Sequence, residues 1–206
     1  MKMKTYIAGP IDANNYLLWD ENTKEAVLID CSEYNEDILK DIKGNNLNVK
    51  YILLTHGHFD HVLGLNEMKK ALNAKVGINK GDEIMLTNIN EFSKFFAFPH
   101  VEPPKADFFV SDGDELIFGD IKIKVIETAG HTEGGVCYLI GNNLFSGDTL
   151  FRNSYGRTDL FGGNFDKIYH SLRDIIFKLD DNIKVFTGHG ASTTIGYEKV
   201  HNEINR

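Results

Sequence analysis

The stretch Thr55-His56-Gly57-His58-Phe59-Asp60-His61 constrains this chain more than any other. Within six residues it sets four side chains of the kind that bind metal ions or move protons, directly after the apolar run Tyr51-Ile52-Leu53-Leu54. A lone histidine is ordinarily a surface residue or a satisfied core residue. Four such groups packed together crowd one another and leave buried polar atoms unpaired unless a cation sits among them. In a turn rather than a helix, His56 and His58 can aim at one atom. Asp60 and His61 are then free to serve a second atom nearby. Imidazole and carboxylate without thiolate suit Zn²⁺, Fe²⁺ or Mn²⁺.

The other histidines follow the same rule. Five of the eight stand just after strand-like runs. Thr128-Ala129-Gly130-His131-Thr132 follows a run ending near Glu127, and Thr187-Gly188-His189-Gly190 follows Lys184-Val185-Phe186. Ser146-Gly147-Asp148-Thr149 stands in the same relation to Leu144-Phe145. Strand ends in a layered fold meet on one rim, and sites form there. His100, His170 and His201 lie outside these motifs and are expected to have no catalytic part. No Ser/His or Cys/His nucleophile pattern competes with this reading.

Strand and helix signals alternate through both halves. Three hairpins are expected. The first pairs residues 15–19 with 25–30, the second 115–118 with 121–126, and the third 136–140 with 144–146. Residues 50–55 read as a strand buried on both faces, and 184–187 as a last short strand. Asn35 can cap a helix that ends near Gly44. Residues 62–72 read as one helix. Phe165, Ile168, Tyr169, Leu172, Ile175, Ile176 and Leu179 form an apolar stripe on another, and 197–205 read as a terminal helix. The segment 91–110, with Phe92, Phe95, Phe96, Phe98, Phe108 and Phe109, reads as irregular. It suits either a loop packed over the core or a wall of a site.

Composition excludes several classes. The 206 residues carry 22 Lys and Arg against 30 Asp and Glu, a formal charge of −8. That balance argues against nucleic-acid binding, which needs clustered cations against phosphates. No apolar run is long enough for a membrane helix, and no secretory signal follows Met1. With only Cys31 and Cys137, reduced thiols and a cytoplasmic location are expected. The length suits one domain spanning 1–206.

The order His-x-His-x-Asp-His, Gly130-His131-Thr132, Gly147-Asp148-Thr149, Gly188-His189-Gly190 resembles the metallo-β-lactamase superfamily over nearly the whole chain. The stretch Leu144-Phe145-Ser146-Gly147-Asp148-Thr149-Leu150-Phe151, continuing through Gly156-Arg157-Thr158-Asp159-Leu160, is similar to its glyoxalase II (hydroxyacylglutathione hydrolase) branch. The resemblance implies an α/β fold, an αββα sandwich of two mixed β-sheets face to face with helices outside. It implies two divalent metal ions per chain, zinc first, with iron or manganese permitted. His56, His58 and His131 would hold one ion, Asp60, His61 and His189 the other, and Asp148 would bridge them. The implied activity is a metal-dependent hydrolase that cleaves a small-molecule thioester such as S-lactoylglutathione with a metal-bound hydroxide. Asp60 and Asp148 would be its catalytic carboxylates. A thiol pKa of about 8.5 makes the thiolate a good leaving group without a strong acid. The alternative is a mononuclear-iron persulfide dioxygenase of the same fold, using His56, His131 and Asp148.

Three departures from the family pattern stand out. Ala129 replaces the usual proline before Gly130, and Cys31-Ser32 replaces a Pro-Gly or Gly-Gly pair. The chain continues for 17 residues after His189 (206 − 189), so the C-terminal helical domain that supplies glutathione-binding residues in longer relatives is expected to be missing. Arg157 and Asp159 are expected to tie down the loop after Asp148.

Overall fold

Leu17 and Leu18 are neighbours in sequence and both fully buried, yet they belong to different cores. The same holds for Leu28 against Val27 and Ile29, and for Ile52 against Leu53. Side chains alternate across a strand, so a continuous apolar run can only belong to a sheet covered on both faces. The computed structural model describes residues 1–94 and 100–206 and shows what covers each face.

The first sheet contains β1 (Lys2–Ala8), β2 (Ala13–Trp19), β3 (Glu25–Ile29), β4 (Asn48–Leu53), β5 (Lys75–Asn79) and β6 (Phe108–Val110), in that spatial order. Strands β1 to β3 pair antiparallel, and β3 to β6 pair parallel. The second sheet contains β7 (Glu115–Phe118), β8 (Ile121–Glu127), β9 (Val136–Ile140), β10 (Asn143–Gly147), β13 (Lys184–Thr187) and β14 (Thr193–Thr194). Its order is β14-β13-β10-β9-β8-β7, with β10 and β13 parallel and the other pairs antiparallel. A small ribbon, β11 (Leu150–Phe151) with β12 (Ser154–Tyr155), follows β10. Between the sheets lies a core that includes Tyr16, Leu18 and Leu53 from one side and Phe118, Tyr138 and Phe145 from the other. Each such side chain contributes about 1.5–3 kcal/mol on leaving water.

Helices cover the outer faces. Ile38 of α1 (Glu36–Gly44), with Leu65 and Met68 of α3 (Leu65–Leu72), packs on the first sheet. Asn35 Oδ1 accepts hydrogen bonds from the backbone N–H of Asp37 and Ile38 at 3.0 and 3.1 Å, the cap expected from sequence. On the second sheet sit Ile168 of α6 (Phe165–His170), Leu172 and Ile176 of the π and 3₁₀ turns that extend it, and Ile195 of α7 (Ile195–His201). The αββα sandwich of two mixed sheets is therefore the observed fold.

Several boundaries differ from the sequence reading. The helix expected over 62–72 is two helices, α2 (Phe59–Val62) and α3, separated at Leu63 and Gly64. A Cβ at Gly64 would stand 2.0 Å from the carbonyl carbon of Glu33, so the chain turns where only glycine fits. The expected apolar stripe after Asn164 is narrower than its pattern. Ile168, Leu172 and Ile176 are fully buried, whereas Phe165 and Tyr169 on its flank are 51% and 44% exposed. The aromatic segment is only partly irregular, since it contains the end of α5 (Ile89–Ser93) and the edge strand β6. Within it, Phe92 packs on Phe161 and Phe108 on Tyr51, whereas Phe95, Phe96 and Phe98 lie outside the described residues. The terminal helix starts earlier, as α7, and gives way to a 3₁₀ turn at 203–205. Strands β1 and β5 carried no clear signal.

Cross-sheet hydrogen bonds gather at one rim. Val136 N donates to Thr55 O at 2.9 Å, Asn14 N to Gly188 O at 2.7 Å, and Tyr138 Oη to Leu54 O at 2.8 Å. These bonds fix β9 against the end of β4, and the end of β13 against β2. Among the described residues, no helix is long and apolar enough to cross a membrane.

Candidate metal centre

Seven side chains meet at this rim. His56 and His58 lie in the turn after β4, and Asp60 and His61 on the one-turn helix α2. His131 lies between β8 and β9, Asp148 after β10, and His189 after β13. Gly147, at φ +49, turns the chain sharply before Asp148, and a Cβ there would stand 2.4 Å from Thr55 Oγ1. The seven residues singled out in the sequence as metal ligands are thus brought to one place.

Three overlapping groups place their donor atoms within 4.8 Å of one another: His56, His58 and His131; His56, His61 and Asp148; and Asp60, His61 and His189. His58 Nδ1 is 2.8 Å from His131 Nε2, and His61 Nε2 is 3.2 Å from His189 Nε2. Asp148 reaches both sides, with Oδ2 3.5 Å from His131 Nε2 and 3.6 Å from His189 Nε2. Asp60 Oδ2 is 3.1 Å from His189 Nε2.

The far nitrogens of four imidazoles are tied outside the cluster. His61 Nδ1 is 2.9 Å from Asp30 Oδ2, His131 Nδ1 is 2.8 Å from Arg157 O, and His189 Nδ1 is 3.1 Å from Ile11 O. Thr55 Oγ1 donates to Asp30 Oδ2, so at 3.0 Å it accepts from His56 Nδ1. Each of these bonds puts the proton on Nδ1 and turns the Nε2 lone pair inward. Among the described residues, His56 Nε2 is buried without any hydrogen-bond partner, as is Asp148 Oδ1. Inward lone pairs, two carboxylates and an orphaned imidazole nitrogen form a donor set that fits divalent cations.

The electrostatics agree. Burial, and then the neighbouring imidazoles led by His61, push His56 well below its ordinary range. Burial, reinforced by His131, pulls His58 down to about 3. Burial raises the Asp148 carboxyl, but His61 outweighs it and the group lies well below the ordinary carboxylate range. Burial likewise opposes ionisation of Asp60, and His61 with the His189 hydrogen bond overcomes it. His61 moves well above its ordinary value, because Asp60, Asp148 and Asp30 outweigh its burial. Without a metal, a proton on His61 therefore takes the place that a cation's charge would fill, and metal binding has to displace it.

Other candidates lie apart from these groups. Arg157 and Asp159 form an exposed two-point ion pair at 2.6 and 2.7 Å, a solvent-screened kind that adds little to stability. It is the Arg157 carbonyl that reaches the site, through His131. His170 pairs with Asp174 at the surface, His201 stacks on Tyr197, and His100 is exposed. Cys31 and Cys137 are free thiols buried in different cores. Sequence reasoning passed over Asp30 and Asp82. Asp30 stands at a strand end like the histidines, a signal that was legible. Asp82 sits in the turn Asn79-Lys80-Gly81-Asp82, which carries no such signal.

Comparison with known proteins places this geometry. Residues 8–189 match the family model described as metallo-beta-lactamase superfamily. Hydroxyacylglutathione hydrolase GloC of Haemophilus influenzae is 32% identical over 193 residues, covering 92% of this chain and 91% of that protein. The crystal structure of BLEG-1 B3 metallo-beta-lactamase superposes with a TM-score of 0.90 at 33% identity, covering 98% of both chains. That of TTHA1623 in a di-iron-bound form gives 0.87 at 31% identity, covering 97% of this chain and 98% of that one. A rim of histidines and aspartates on a two-sheet sandwich, and a family match across most of the sequence, lead to one conclusion: the chain belongs to the metallo-β-lactamase superfamily.

Proposed function

We propose that this protein is a dinuclear metal-dependent hydrolase that cleaves a small-molecule thioester. One observation carries the reading: two donor groups, one centred on three histidines and one on Asp60, His61 and His189, with the Asp148 carboxylate between them. His56, His58 and His131 would hold the first ion and Asp60, His61 and His189 the second, with Asp148 available as a ligand to both. Bound divalent ions supply Lewis acidity and lower the pKa of water toward neutrality. Asp60 would orient the attacking water as well as serve as a ligand. The hydrogen bonds to Thr55, Asp30, Arg157 O and Ile11 O hold His56, His61, His131 and His189 in the tautomer that leaves Nε2 free. The GloC relative supports a thioester such as S-lactoylglutathione, and the di-iron form of TTHA1623 supports a pair of ions. Zinc is the first expectation from the ligand types, with iron and manganese compatible.

The mononuclear-iron dioxygenase reading uses only His56, His131 and Asp148. The second group, Asp60, His61 and His189, with its donor atoms within the same 4.8 Å, favours the hydrolase. Steady-state assay of metal-loaded protein on S-lactoylglutathione and other thioesters tests the proposal, with turnover expected on at least one. Absence of turnover on all of them with two ions bound removes it. So does a single iron with oxygen uptake on glutathione persulfide.

A further inference from the structure

Asp82 has no exposed surface and lies at none of the donor groups described above. Its carboxylate nevertheless reaches two of the site's loops. Oδ2 accepts from Gly57 N at 2.9 Å and from Thr132 Oγ1 at 2.7 Å, and Oδ1 accepts from Gly134 N at 2.7 Å. Gly57 lies between His56 and His58, and Thr132 follows His131. One side chain thus joins the loop of the first sheet to the loop of the second that completes the three-histidine group. The packing around it is closed. A Cβ on Gly134 would stand 2.5 Å from Asp82 N, and one on Gly57 would stand 2.9 Å from Asp82 O.

Burial raises the Asp82 carboxyl above its ordinary value despite its three donors. An apolar residue of similar volume would leave Gly57 N–H, the Thr132 hydroxyl and Gly134 N–H buried without an acceptor. The two loops therefore depend on an acceptor at this position. The other donor group has separate ties, His61 to Asp30 and His189 to Ile11 O.

We infer that Asp82 is a positioning residue that sets the spacing of His56 and His58 against His131, and so controls affinity for the first ion selectively. The inference rests on the two-ion reading above. Asparagine at this position offers one acceptor oxygen where three donors converge, and its amide turns N–H toward N–H or O–H. The loops then lose at least one tie while the shape is nearly kept. Loss of a group that orients metal ligands costs about 10–100-fold in affinity.

The test uses the full chain and Co²⁺, with chelator competition and visible absorption as readouts, and reads each ion alone. In an Asp60→Ala background, which weakens the second site, Asp82→Asn should lower Co²⁺ affinity at least about tenfold. In a His131→Ala background, which weakens the first, it should change affinity less than about threefold. Thr132→Val removes one of the three bonds and keeps the charge. It should weaken the same ion severalfold, and it decides the matter should Asp82→Asn fail to fold. Equal losses in both backgrounds would assign the effect to charge alone and overturn the inference. So would a silent Thr132→Val, or an Asp82→Asn without effect. If the unsubstituted protein takes up fewer than two Co²⁺, the two-ion reading falls and the inference falls with it.

Discussion

Replacing Asp30 by asparagine separates the stability of the fold from the readiness of the metal centre. Asp30 is 1% exposed and accepts from Thr55 N at 2.8 Å, Thr55 Oγ1 at 2.9 Å and His61 Nδ1 at 2.9 Å. Its φ of +59 lies in the left-handed region, which asparagine tolerates as well as aspartate does. In the Asp30→Asn variant the amide oxygen can keep the Thr55 N–H bond, and the Thr55 hydroxyl can rotate to accept from the new amide. His61 has no such freedom. Facing an amide N–H, its Nδ1 must accept, and the proton moves to Nε2, the nitrogen aimed at Asp60 and Asp148. The fold loses a charge-assisted hydrogen bond, about 2 kcal/mol. The metal centre loses a ligand in its binding tautomer, about 10–100-fold in affinity. Urea denaturation of metal-free protein and chelator-competition titration measure the two losses. If Asp30→Asn binds metal within about threefold of the parent, the tautomer argument fails. If it unfolds outright, Asp30 is first a structural residue.

Further predictions concern sterics, pH and thiols. A Cβ on Gly188 would stand 2.0 Å from Asp148 Oδ1 and 3.0 Å from His61 Cε1, so Gly188→Ala should cost about 1–3 kcal/mol and abolish two-ion binding. Gly44→Ala, with nothing among the described residues within 4 Å of its new Cβ at the end of α1, should leave metal content unchanged and raise stability by up to about 1 kcal/mol in thermal melts. His58 is held at about 3 against an ordinary 6.5, and His56 shifts in the same direction, so below pH 6.5 the unfolded chain binds protons that the metal-free fold refuses. His61 and His189 shift upward and so favour the fold below their ordinary value, losing that contribution as pH rises through their folded values. Metal-free protein should therefore lose stability as pH falls from 6.5 toward 4, and a flat denaturation profile across that range would contradict these assignments. Burial raises the Cys137 thiol to about 11 and the Cys31 thiol higher still. Iodoacetamide at pH about 8 should label neither in the folded protein and both in guanidinium, since only the thiolate reacts.

Much of the site was legible because its residues are chemically expensive to place. His56, His58, Asp60 and His61 crowd into one turn, and His131, Asp148 and His189 each follow an apolar run with a glycine beside them. Strand ends then did the geometric work: β10 and β13 run parallel in the second sheet, β4 runs parallel to β3 in the first, and the residues that follow β4, β10 and β13 meet at one rim. The two-faced strands were legible for a related reason, because 51–54 and 136–140 leave no polar position for a wet face. What stayed hidden depends on contacts distant in sequence. The break at Gly64 follows from the backbone of Glu33, and the exposure of Phe165 and Tyr169 follows from which helical row meets Gly130. Strand β1 alternates weakly and is recognised only through its partner β2. Asp82 resembles any turn aspartate until the fold brings Gly57, Thr132 and Gly134 to it.

A crystal structure of metal-loaded protein, with anomalous scattering recorded at the absorption edge of the bound metal, tests the dinuclear centre most directly. Two peaks are expected, one among His56, His58 and His131 and one among Asp60, His61 and His189, with the Asp148 carboxylate touching both. A single peak held by His56, His131 and Asp148, or peaks away from these residues, would contradict it.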